Sequence, residues 1–410
     1  MSDINDPQPP SPPPPGEQPA EQQAPYVIPV RYTPPAGAAP APPARRRSVW
    51  TVLLVMALAI SVGVNLLLLL VPHMMTDLGD GGALTEHYHS GKTTAHDKIA
   101  IIKMDGVIME GSLAFVQKQI EQAASDASVK AIVLRINSPG GTITGSDDLY
   151  RRLKELREGE IPQQKGGKKT LVASMGGMAA SGGYYIAMPA EFVFAERTTI
   201  TGSIGVYAAF PNISGLAETY GFGMNVIKAG DIKDSGSMFK KMTPQERQLW
   251  QDMVDHAYAR FTEVVEEGRE SKLTAKLTDI VIEKEIPDVD PNGKPNGEKN
   301  GEPKTVKYVR RLADGGIWTA EQAKKFGLVD QIGYLEEAIK ETAKRANLTG
   351  PYKAVTYEKQ PTLSSLLLGA QAKSSAQLDP DKLAAGAIPR LWYLAPQAEM
   401  AGILAAMGKQ

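Results

Sequence analysis

A long uncharged segment near the N-terminus constrains this chain more than any other feature. Residues 48–72 contain no charged side chain, and Arg45, Arg46 and Arg47 stand directly before them. Because about 20 apolar residues suffice to cross the hydrocarbon core of a bilayer, the segment predicts a single transmembrane helix. Arginines before the helix predict a cytoplasmic N-terminus, with everything after residue 72 on the outer side of the cell (inner) membrane.

Two other interpretations of this segment are weaker. A cleaved signal peptide has a shorter apolar region that ends at a small-x-small site, whereas this run continues into Val71-Pro72-His73-Met74-Met75. A core helix of a globular domain would not be apolar on every face and preceded by three arginines. We therefore expect an uncleaved anchor.

The regions on either side of this segment differ in composition. Residues 1–47 hold 15 of the chain's 30 prolines. They predict a disordered cytoplasmic arm, either a solvated spacer or a ligand for proline-recognition modules. Residues 73–97 are mostly polar and hold four of the five histidines. No carboxylate cluster accompanies these histidines, so a solvated stalk is favoured over a metal site.

The largest part of the chain has an α/β pattern. Over residues 98–348, apolar runs rich in β-branched residues alternate with segments of helical spacing, which predicts a largely parallel sheet. The predicted strands are Ile99–Met104, Val129–Ile136, Lys169–Ser174, Phe192–Ala195, Ile204–Ala208 and Met224–Ile227. The predicted helices before residue 200 are Leu113–Ala124, Ser146–Arg157 and Ala180–Met188.

The second half of this body contains a long helix and an insertion. Thr243, Pro244 and Glu246 form an N-cap and capping box that predict a helix to about Gly268. Turn-forming polar residues predict an exposed inserted loop over residues 284–306. After the body, residues 349–410 are expected to form an irregular C-terminal tail.

Composition removes several classes of site. The chain contains no cysteine, which excludes thiol nucleophiles, disulfides and thiolate metal sites. Its net charge of −1 gives no sign of a nucleic-acid partner. A phosphate-binding Gly-x-x-x-x-Gly-Lys-Ser/Thr loop is absent, and no Gly-x-Ser-x-Gly elbow surrounds Ser181.

Two glycine-bearing turns, Asn137–Gly141 and Gly176–Gly183, follow predicted strands. Sites in open α/β sheets form at the carboxyl ends of the strands, so we expect both turns at one edge of the sheet. Ser181 would start a short helix with its hydroxyl exposed beside backbone N–H groups, an arrangement suited to a nucleophile and an oxyanion hole. The glycines alone also fit ordinary turns.

A serine nucleophile needs a base that accepts its proton. His256 is the only histidine after the predicted stalk, but it lies inside the long predicted helix. A lysine can serve when burial leaves its amine neutral. Lys228, Lys233, Lys240 and Lys241 follow the nucleophile turn, and their spacing does not choose among them.

The motifs at these turns resemble the signal peptide peptidase A family of serine–lysine peptidases, which has a Clp/crotonase-like fold. The similarity covers about residues 98–343, so the predicted arm, anchor and tail lie outside it. The motifs that carry it are Arg135–Gly141, Ser174–Tyr185, Thr201–Val206, Ile227–Asp234 and Gly327–Asp330.

The resemblance implies a role for five positions. Ser181 matches the nucleophile, Lys233 the general base, and Ser203 the serine that orients the base. The N–H groups of Gly141 and Gly182 would form the oxyanion hole. Two departures, a missing proline after the Lys-Asp pair and the length of the inserted loop, do not touch the Ser–Lys pair.

The resemblance implies hydrolysis of peptide bonds without a metal or cofactor. Remnant signal peptides or other membrane-associated peptides are the expected substrates. It also implies a homo-oligomeric ring in which Ser181 and Lys233 of one site come from adjacent subunits. A non-catalytic membrane-bound scaffold or regulator remains a rival, as does a crotonase-type acyl-CoA enzyme, which an exported domain would leave without CoA.

Overall fold

The structure, a computed structural model, describes residues 53–62, 84–299, 302–359 and 391–394. The chain divides into two compact units, Met1–Leu68 and Leu69–Gln410. The first unit contains helix α1, residues 53–62, whose side chains are exposed. No helix in the described ranges is both long and apolar enough to cross a membrane.

Helix α1 lies within the segment predicted to span the membrane. The flanking parts of that segment, residues 48–52 and 63–72, lie outside the described residues, as do residues 1–47. The arm and the anchor therefore stay predictions.

Among the described residues, the second unit contains sixteen strands and every helix other than α1. The strands are β1 Leu84–Gly91, β2 Asp97–Asp105, β3 Val129–Ser138, β4 Gly140–Thr142, β5 Thr170–Ala180, β6 Phe192–Ala195, β7 Ile200–Gly202, β8 Tyr207–Ala208, β9 Ile280–Pro287, β10 Glu298–Lys299, β11 Glu302–Pro303, β12 Thr305–Arg311, β13 Ile317–Thr319, β14 Gln331–Ile332, β15 Tyr352–Lys359 and β16 Leu391–Leu394. The helices are a 3₁₀ turn at Glu110–Ser112, α2 Ala114–Ser125, α3 Ile143–Glu158, α4 Gly182–Tyr185, α5 Ser214–Tyr220, α6 Pro244–Arg269, α7 Ala320–Lys325 and α8 Leu335–Arg345.

The main sheet is largely parallel, as predicted. Its strand order is β1–β15–β2–β3–β5–β6–β14, with β7 beside β5 and β13 beside β7. Only the β1–β15 and β7–β13 pairs are antiparallel. This mixed α/β architecture fits a Clp/crotonase-like fold.

Both faces of the sheet are covered, which explains the continuous apolar runs of its central strands. Alternate residues of a strand point to opposite faces. One face packs against α8 through Ile99, Ile101, Ala131, Val133, Ala338, Ile339 and Ala343. The other packs against α2, α3 and α6 through Ala100, Ile102, Ile132, Leu134, Ile120, Leu149, Leu153, Phe261 and Val264.

The folded body is larger at both ends than residues 98–348. Residues 84–91, expected within the stalk, form edge strand β1, and residues 352–359, expected within the tail, form β15 between β1 and β2. The middle of β15 is buried on both faces, since Ala354, Val355, Thr356 and Tyr357 are buried in succession while Glu358 and Lys359 are exposed. The charged residues of β15 made its buried run difficult to recognise in the sequence.

Two local predictions also differ from the structure. Within residues 284–306, expected as a loop, residues 284–287 and 305–306 belong to an antiparallel β9–β12 hairpin, which carries a small β10–β11 pair. Residues 224–227, expected as a strand, have no regular structure and are exposed. The capping box of Thr243 and Glu246 is confirmed at the start of α6.

A buried ion pair fastens the end of α6 to the sheet. Arg269 is 1% exposed, donates from Nε to the Gly327 carbonyl (2.8 Å) and from Nη1 to Asp330 (2.7 Å). Asp330 also accepts from the Val193 N–H at 2.8 Å. Burial would raise the pKa of Asp330, but the hydrogen bonds from Arg269 and Val193 outweigh it and lower that pKa.

We expect Arg269→Met to lower the free energy of unfolding by about 3 kcal/mol, because it leaves the buried Asp330 carboxylate with only the partly exposed Lys272, 3.2 Å away, as a cationic partner. Arg247→Met, at an exposed position on the same helix, should change it by less than about 0.5 kcal/mol. The Arg269 effect should shrink below about pH 4, where the unfolded carboxylate takes up a proton. Urea unfolding at several pH values measures this, and equal stabilities of the two variants at pH 7 would contradict it.

Candidate active site

The two glycine-bearing turns meet at the carboxyl ends of neighbouring parallel strands. Ser138 at the end of β3 pairs with Ala179 near the end of β5. A Cβ atom on Gly183 would lie 2.7 Å from the Ser138 carbonyl oxygen, so this close approach requires glycine. The predicted common edge is therefore present in the structure.

Ser181 occupies a strained backbone conformation at this edge. Its φ and ψ are 55° and −119°. Its N–H donates to the Gly202 carbonyl at 2.7 Å, which holds the turn against β7. The side chain is 1% exposed, whereas the sequence predicted an exposed hydroxyl. Its Oγ is buried and makes no hydrogen bond within the described part of the chain.

The strain singles out both predicted site serines. Among the described residues, four that are not glycine have a positive φ, namely Gln163, Ser181, Ser203 and Asn347. Such a conformation costs of order 1–3 kcal/mol and persists where the surroundings hold it in place. Two of these four residues, Ser181 and Ser203, are positions to which the family resemblance assigns a catalytic role.

Ser203 directly follows β7, and the last residue of β7, Gly202, accepts the hydrogen bond from the Ser181 N–H. Its φ is 51°, its N–H donates to the Gly316 carbonyl at 2.9 Å, and its Oγ donates to the Gly315 carbonyl at 3.0 Å. The hydroxyl is therefore engaged with backbone, and it bonds to neither Ser181 nor Lys233 within this chain.

The two glycines expected to form an oxyanion hole flank the same edge. A Cβ atom on Gly141 would lie 1.8 Å from the Ile108 carbonyl oxygen, so only glycine fits there. Gly140 accepts from the Ile108 N–H at 2.9 Å and Thr142 donates to the Ile108 carbonyl at 2.8 Å. Because strand residues alternate, the N–H of Gly141 points to the opposite side. Gly182 is the first residue of α4, where an N–H has no partner inside the helix.

Lys233 is not brought to Ser181 within one chain. Its side chain is exposed, in a stretch of turns between α5 and α6, and the unpartnered Ser181 Oγ shows that no hydrogen bond joins the pair. The next residue, Asp234, binds Lys228 at 2.6 Å and Lys240 at 2.8 Å. Hydrogen bonds from those two lysines lower the pKa of Asp234 to about 2. Lys233 itself has no ion-pair partner among the described residues.

The alternative bases do not bond to the serine either. Lys240 also binds Glu246, and hydrogen bonds from Asp234 and Glu246 raise its pKa. Lys241 and His256 are exposed, and His256 lies on α6 at a cleft beside the site. None of them donates to or accepts from the Ser181 hydroxyl.

An open cleft of roughly 1130 Å³ runs between the start of α3 and the outer face of α6. Its lining includes Thr142, Ile143, Tyr185, Trp250 and Met253. Among the described residues no group of three or more histidines and carboxylates is placed to hold a metal ion. The site therefore consists of backbone donors and two strained serines, and the cleft beside it is lined by apolar residues and by charged ones such as Glu110, Asp147 and Arg260.

Sequence reasoning missed the residue that positions the lysine segment. Trp250 on α6 lines the cleft, donates from Nε1 to Ser235 Oγ at 2.8 Å and packs on Phe210 with ring centroids 4.7 Å apart. These contacts hold the turn that contains Ser235, two residues after Lys233, against α6. The available signal was an aromatic residue next to Leu249 in the first turns of a capped helix.

Known peptidases are similar in sequence to this chain. The profile of Peptidase family S49 matches residues 163–279 and 301–349. Protease 4 of Salmonella typhi is 29% identical over 312 residues, which are 74% of this chain but 44% of that protein. The chain thus spans less than half the length of Protease 4.

Shorter relatives are covered more fully. A signal peptide peptidase SppA candidate of Enterococcus faecium is 34% identical over 231 residues, 56% of this chain and 55% of that protein. A candidate protease of Synechocystis sp. is 34% identical over 257 residues, which are 63% of this chain and 77% of that protein. With three quarters of such a relative matched and the family profile covering β5 and the Ser181 that follows it, the chain belongs to peptidase family S49.

Proposed function

We propose that this protein is a serine endopeptidase in which Ser181 is the nucleophile and Lys233 the general base. The observation that carries the proposal is the state of Ser181. Its hydroxyl is buried, lacks a hydrogen-bond partner and sits on a strained backbone at the carboxyl edge of a parallel sheet. A structural serine in that position would gain from a partner, so the geometry favours a reactive one.

The proposed reaction is acyl transfer. The neutral amine of Lys233 takes the Ser181 proton while Oγ attacks the carbonyl carbon of a peptide bond. The N–H groups of Gly141 and Gly182 stabilise the oxyanion. The intermediate then expels the amine of the substrate, which takes the proton from Lys233, and water hydrolyses the acyl-enzyme. No metal or cofactor takes part in these steps.

The choice of Lys233 rests on the Ile227–Asp234 motif, and the ion pairs of Asp234 narrow the alternatives. Lys228 and Lys240 form ion pairs with this carboxylate, whereas Lys233 and Lys241 have no ion-pair partner in the described part of the chain. Because Lys233 is exposed in its own subunit, we propose that it completes the site of a neighbouring subunit. Burial of Lys233 by that neighbouring subunit would also favour the neutral form of its amine.

The surface around Lys233 supports this assembly. The stretch just before it exposes several large apolar side chains, namely Leu216, Tyr220, Phe222, Met224 and Ile227. Apolar residues concentrated on one stretch are typical of a surface that another protein covers. A homo-oligomer in which this stretch contacts the next subunit would bury them and bring Lys233 to a second copy of Ser181.

Membrane anchoring belongs to the same proposal. The uncharged segment over residues 48–72 would hold the protein in the inner membrane as a single-pass protein, with a cytoplasmic N-terminus and an extracytoplasmic catalytic domain. Remnant signal peptides and other membrane-associated peptides are the proposed substrates. Relatives named for signal peptide peptidase activity support this substrate class.

A fluorophosphonate probe tests the proposal directly. We expect the full-length protein to be labelled on a single serine, located at Ser181 by digestion and mass spectrometry. Ser174→Ala, a change at a buried serine of β5, should leave labelling intact, and Ser181→Ala should abolish it. Failure of the folded parent protein to react would favour a non-catalytic scaffold.

A further inference from the structure

The turn between β12 and β13, residues 312–316 and hereafter the support turn, accepts both hydrogen bonds that Ser203 donates. The Ser203 N–H bonds to the Gly316 carbonyl at 2.9 Å, and its Oγ bonds to the Gly315 carbonyl at 3.0 Å. Gly315 donates back to the Ile204 carbonyl at 3.0 Å. Ser203 has a φ of 51°, and such a conformation persists only where the surroundings hold it. The support turn supplies those surroundings.

The carboxylate of Asp314 organises this turn. Its Oδ1 accepts from the Gly316 N–H at 2.9 Å, and its Oδ2 accepts from the Arg311 N–H at 3.2 Å. Arg310 adds a bidentate pair, from Nε to Oδ2 and from Nη2 to Oδ1. Burial would raise the pKa of Asp314, but the hydrogen bonds from Arg310 and Gly316 outweigh it and lower that pKa. The turn is therefore built around a charged carboxylate.

Trp318 connects this ion pair to the strand that precedes Ser203. The Arg310 guanidinium lies 4.1 Å from the centre of the Trp318 ring, and the indole Nε1 donates to the Leu312 carbonyl at 3.1 Å. Trp318 is 1% exposed and pairs with Thr201 in the β7–β13 register. A Cβ atom on Gly202 would lie 2.5 Å from the Trp318 side chain. The contacts of Arg310 thus reach both the support turn and β7.

The bond to Gly315 fixes the direction of the Ser203 hydroxyl proton. A carbonyl oxygen only accepts, so Oγ must donate to it and then offers only lone pairs to any other group. The neutral amine of Lys233, as the proposed base, has two N–H groups and one lone pair. Donation of one N–H to Ser203 would leave the lone pair available for the Ser181 proton. A hydroxyl free to rotate could instead donate to that lone pair and block it.

We infer that Arg310 and Asp314 are positioning residues, which hold the support turn so that the Ser203 hydroxyl acts only as an acceptor towards the base. This inference rests on the proposed function, because Lys233 as the base belongs to it. Arg310 and Asp314 act through Ser203. Their removal should therefore affect the rate of the chemical step and leave substrate binding nearly unchanged.

A double-mutant cycle in the full-length protein tests this route. We expect Asp314→Ala and Ser203→Ala each to lower kcat for peptide cleavage by about tenfold to a hundredfold, since small displacements of positioned groups cost that much. KM should stay within about twofold, and the double variant should fall no more than about twofold below Ser203→Ala alone. Losses in kcat that multiply in the double variant would overturn the inference.

Arg310→Gln breaks the same unit more mildly, because the Gly316 and Arg311 N–H groups still have Asp314 as their acceptor. Its loss in kcat should also disappear once Ser203 is alanine. This variant keeps the cycle decisive if Asp314→Ala fails to fold. A loss in kcat from Arg310→Gln that is as large with alanine at position 203 as with serine would contradict the inference.

An ion pair on α8 provides a matched control. Arg345 donates from Nε to Glu341 at 2.8 Å, and its guanidinium lies 4.3 Å from the centre of the Phe192 ring. The pair thus repeats the four-residue spacing and the aromatic contact of Arg310 and Asp314, but it does not bond to the support turn. Glu341→Ala should keep kcat within about twofold of the parent value. Equal kcat values for Glu341→Ala and Asp314→Ala would overturn the inference.

Urea unfolding tests the same coupling without relying on catalysis. Ser203→Ala should raise the unfolding constant about fivefold when Asp314 is present, because it removes the bond to Gly315. With Asp314→Ala already in place, the same change should raise it less than about twofold. A fivefold rise in both backgrounds would show that Asp314 does not hold Ser203. If the folded parent cleaves no peptide, the peptidase proposal falls, and the unfolding cycle still decides whether Asp314 holds Ser203.

Discussion

Ser181→Ala is expected to lower kcat/KM for peptide cleavage by about 10³-fold or more, because it removes the atom that forms the acyl-enzyme. The same change should alter the free energy of unfolding by less than about 1 kcal/mol. The Oγ atom has no hydrogen-bond partner, so its loss leaves no other group unsatisfied. Alanine must adopt the same positive φ as serine, so the backbone strain also stays the same.

The comparison with Ser203 sharpens this prediction. Ser203→Ala removes a hydrogen bond to the Gly315 carbonyl and should cost about 1 kcal/mol of stability. Its activity should fall less than that of Ser181→Ala, because Ser203 is proposed to orient the base and not to react. Urea unfolding and single-turnover peptide cleavage measure both quantities. A Ser181→Ala protein that folds normally and still cleaves would remove Ser181 from the mechanism.

Local chemistry made part of the fold predictable from sequence. The runs in β2, β3 and β5 are apolar at consecutive positions because helices cover both faces of the sheet. The start of α6 follows from Thr243 and Glu246, whose side chains satisfy the first N–H groups of the helix and of the cap. Such signals lie within a few residues of one another, so they do not depend on distant parts of the chain.

Features that depend on distant partners were not predictable. Strand β15 has charged residues at three of its eight positions, and it joins the sheet only because β1 and β2 flank it. The segment 224–227 has strand-like composition but no neighbouring strand to pair with. Its exposed Ile227 would be explained by a partner outside the chain.

The site, like the fold, was predictable from the sequence only in part. Motifs located Ser181 and Ser203, and the structure adds that both have a positive φ, which no residue pattern reveals because serine seldom adopts it. Spacing could not choose among four lysines. In the structure Lys228 and Lys240 both bind Oδ1 of Asp234, which leaves Lys233 and Lys241 without an ion-pair partner among the described residues. Nor did the tail sequence predict that residues 391–394 pair with Gly140–Thr142.

Lys233→Met should abolish peptide cleavage as fully as Ser181→Ala does, and mixing the two inactive proteins should restore part of the activity. If serine and lysine of one site come from adjacent subunits, some interfaces in a mixed oligomer pair an intact Ser181 with an intact Lys233. Random exchange of equal amounts in a closed ring gives about one quarter of such interfaces. We therefore expect about a quarter of the parent activity after subunit exchange.

Matched variants isolate the role of the lysine. Lys241→Met changes a neighbouring exposed lysine and should keep near-parent activity, whereas Lys233→Arg should be inactive because a guanidinium does not give up its proton. Ser181→Ala mixed with the double variant Ser181→Ala, Lys233→Met supplies no intact serine and should stay inactive. An active Lys233→Met protein would refute the Ser–Lys assignment. A silent mixture whose subunits demonstrably exchange would confine both residues to one chain, and Lys233 would then have to move from its exposed position to reach the buried Ser181 hydroxyl.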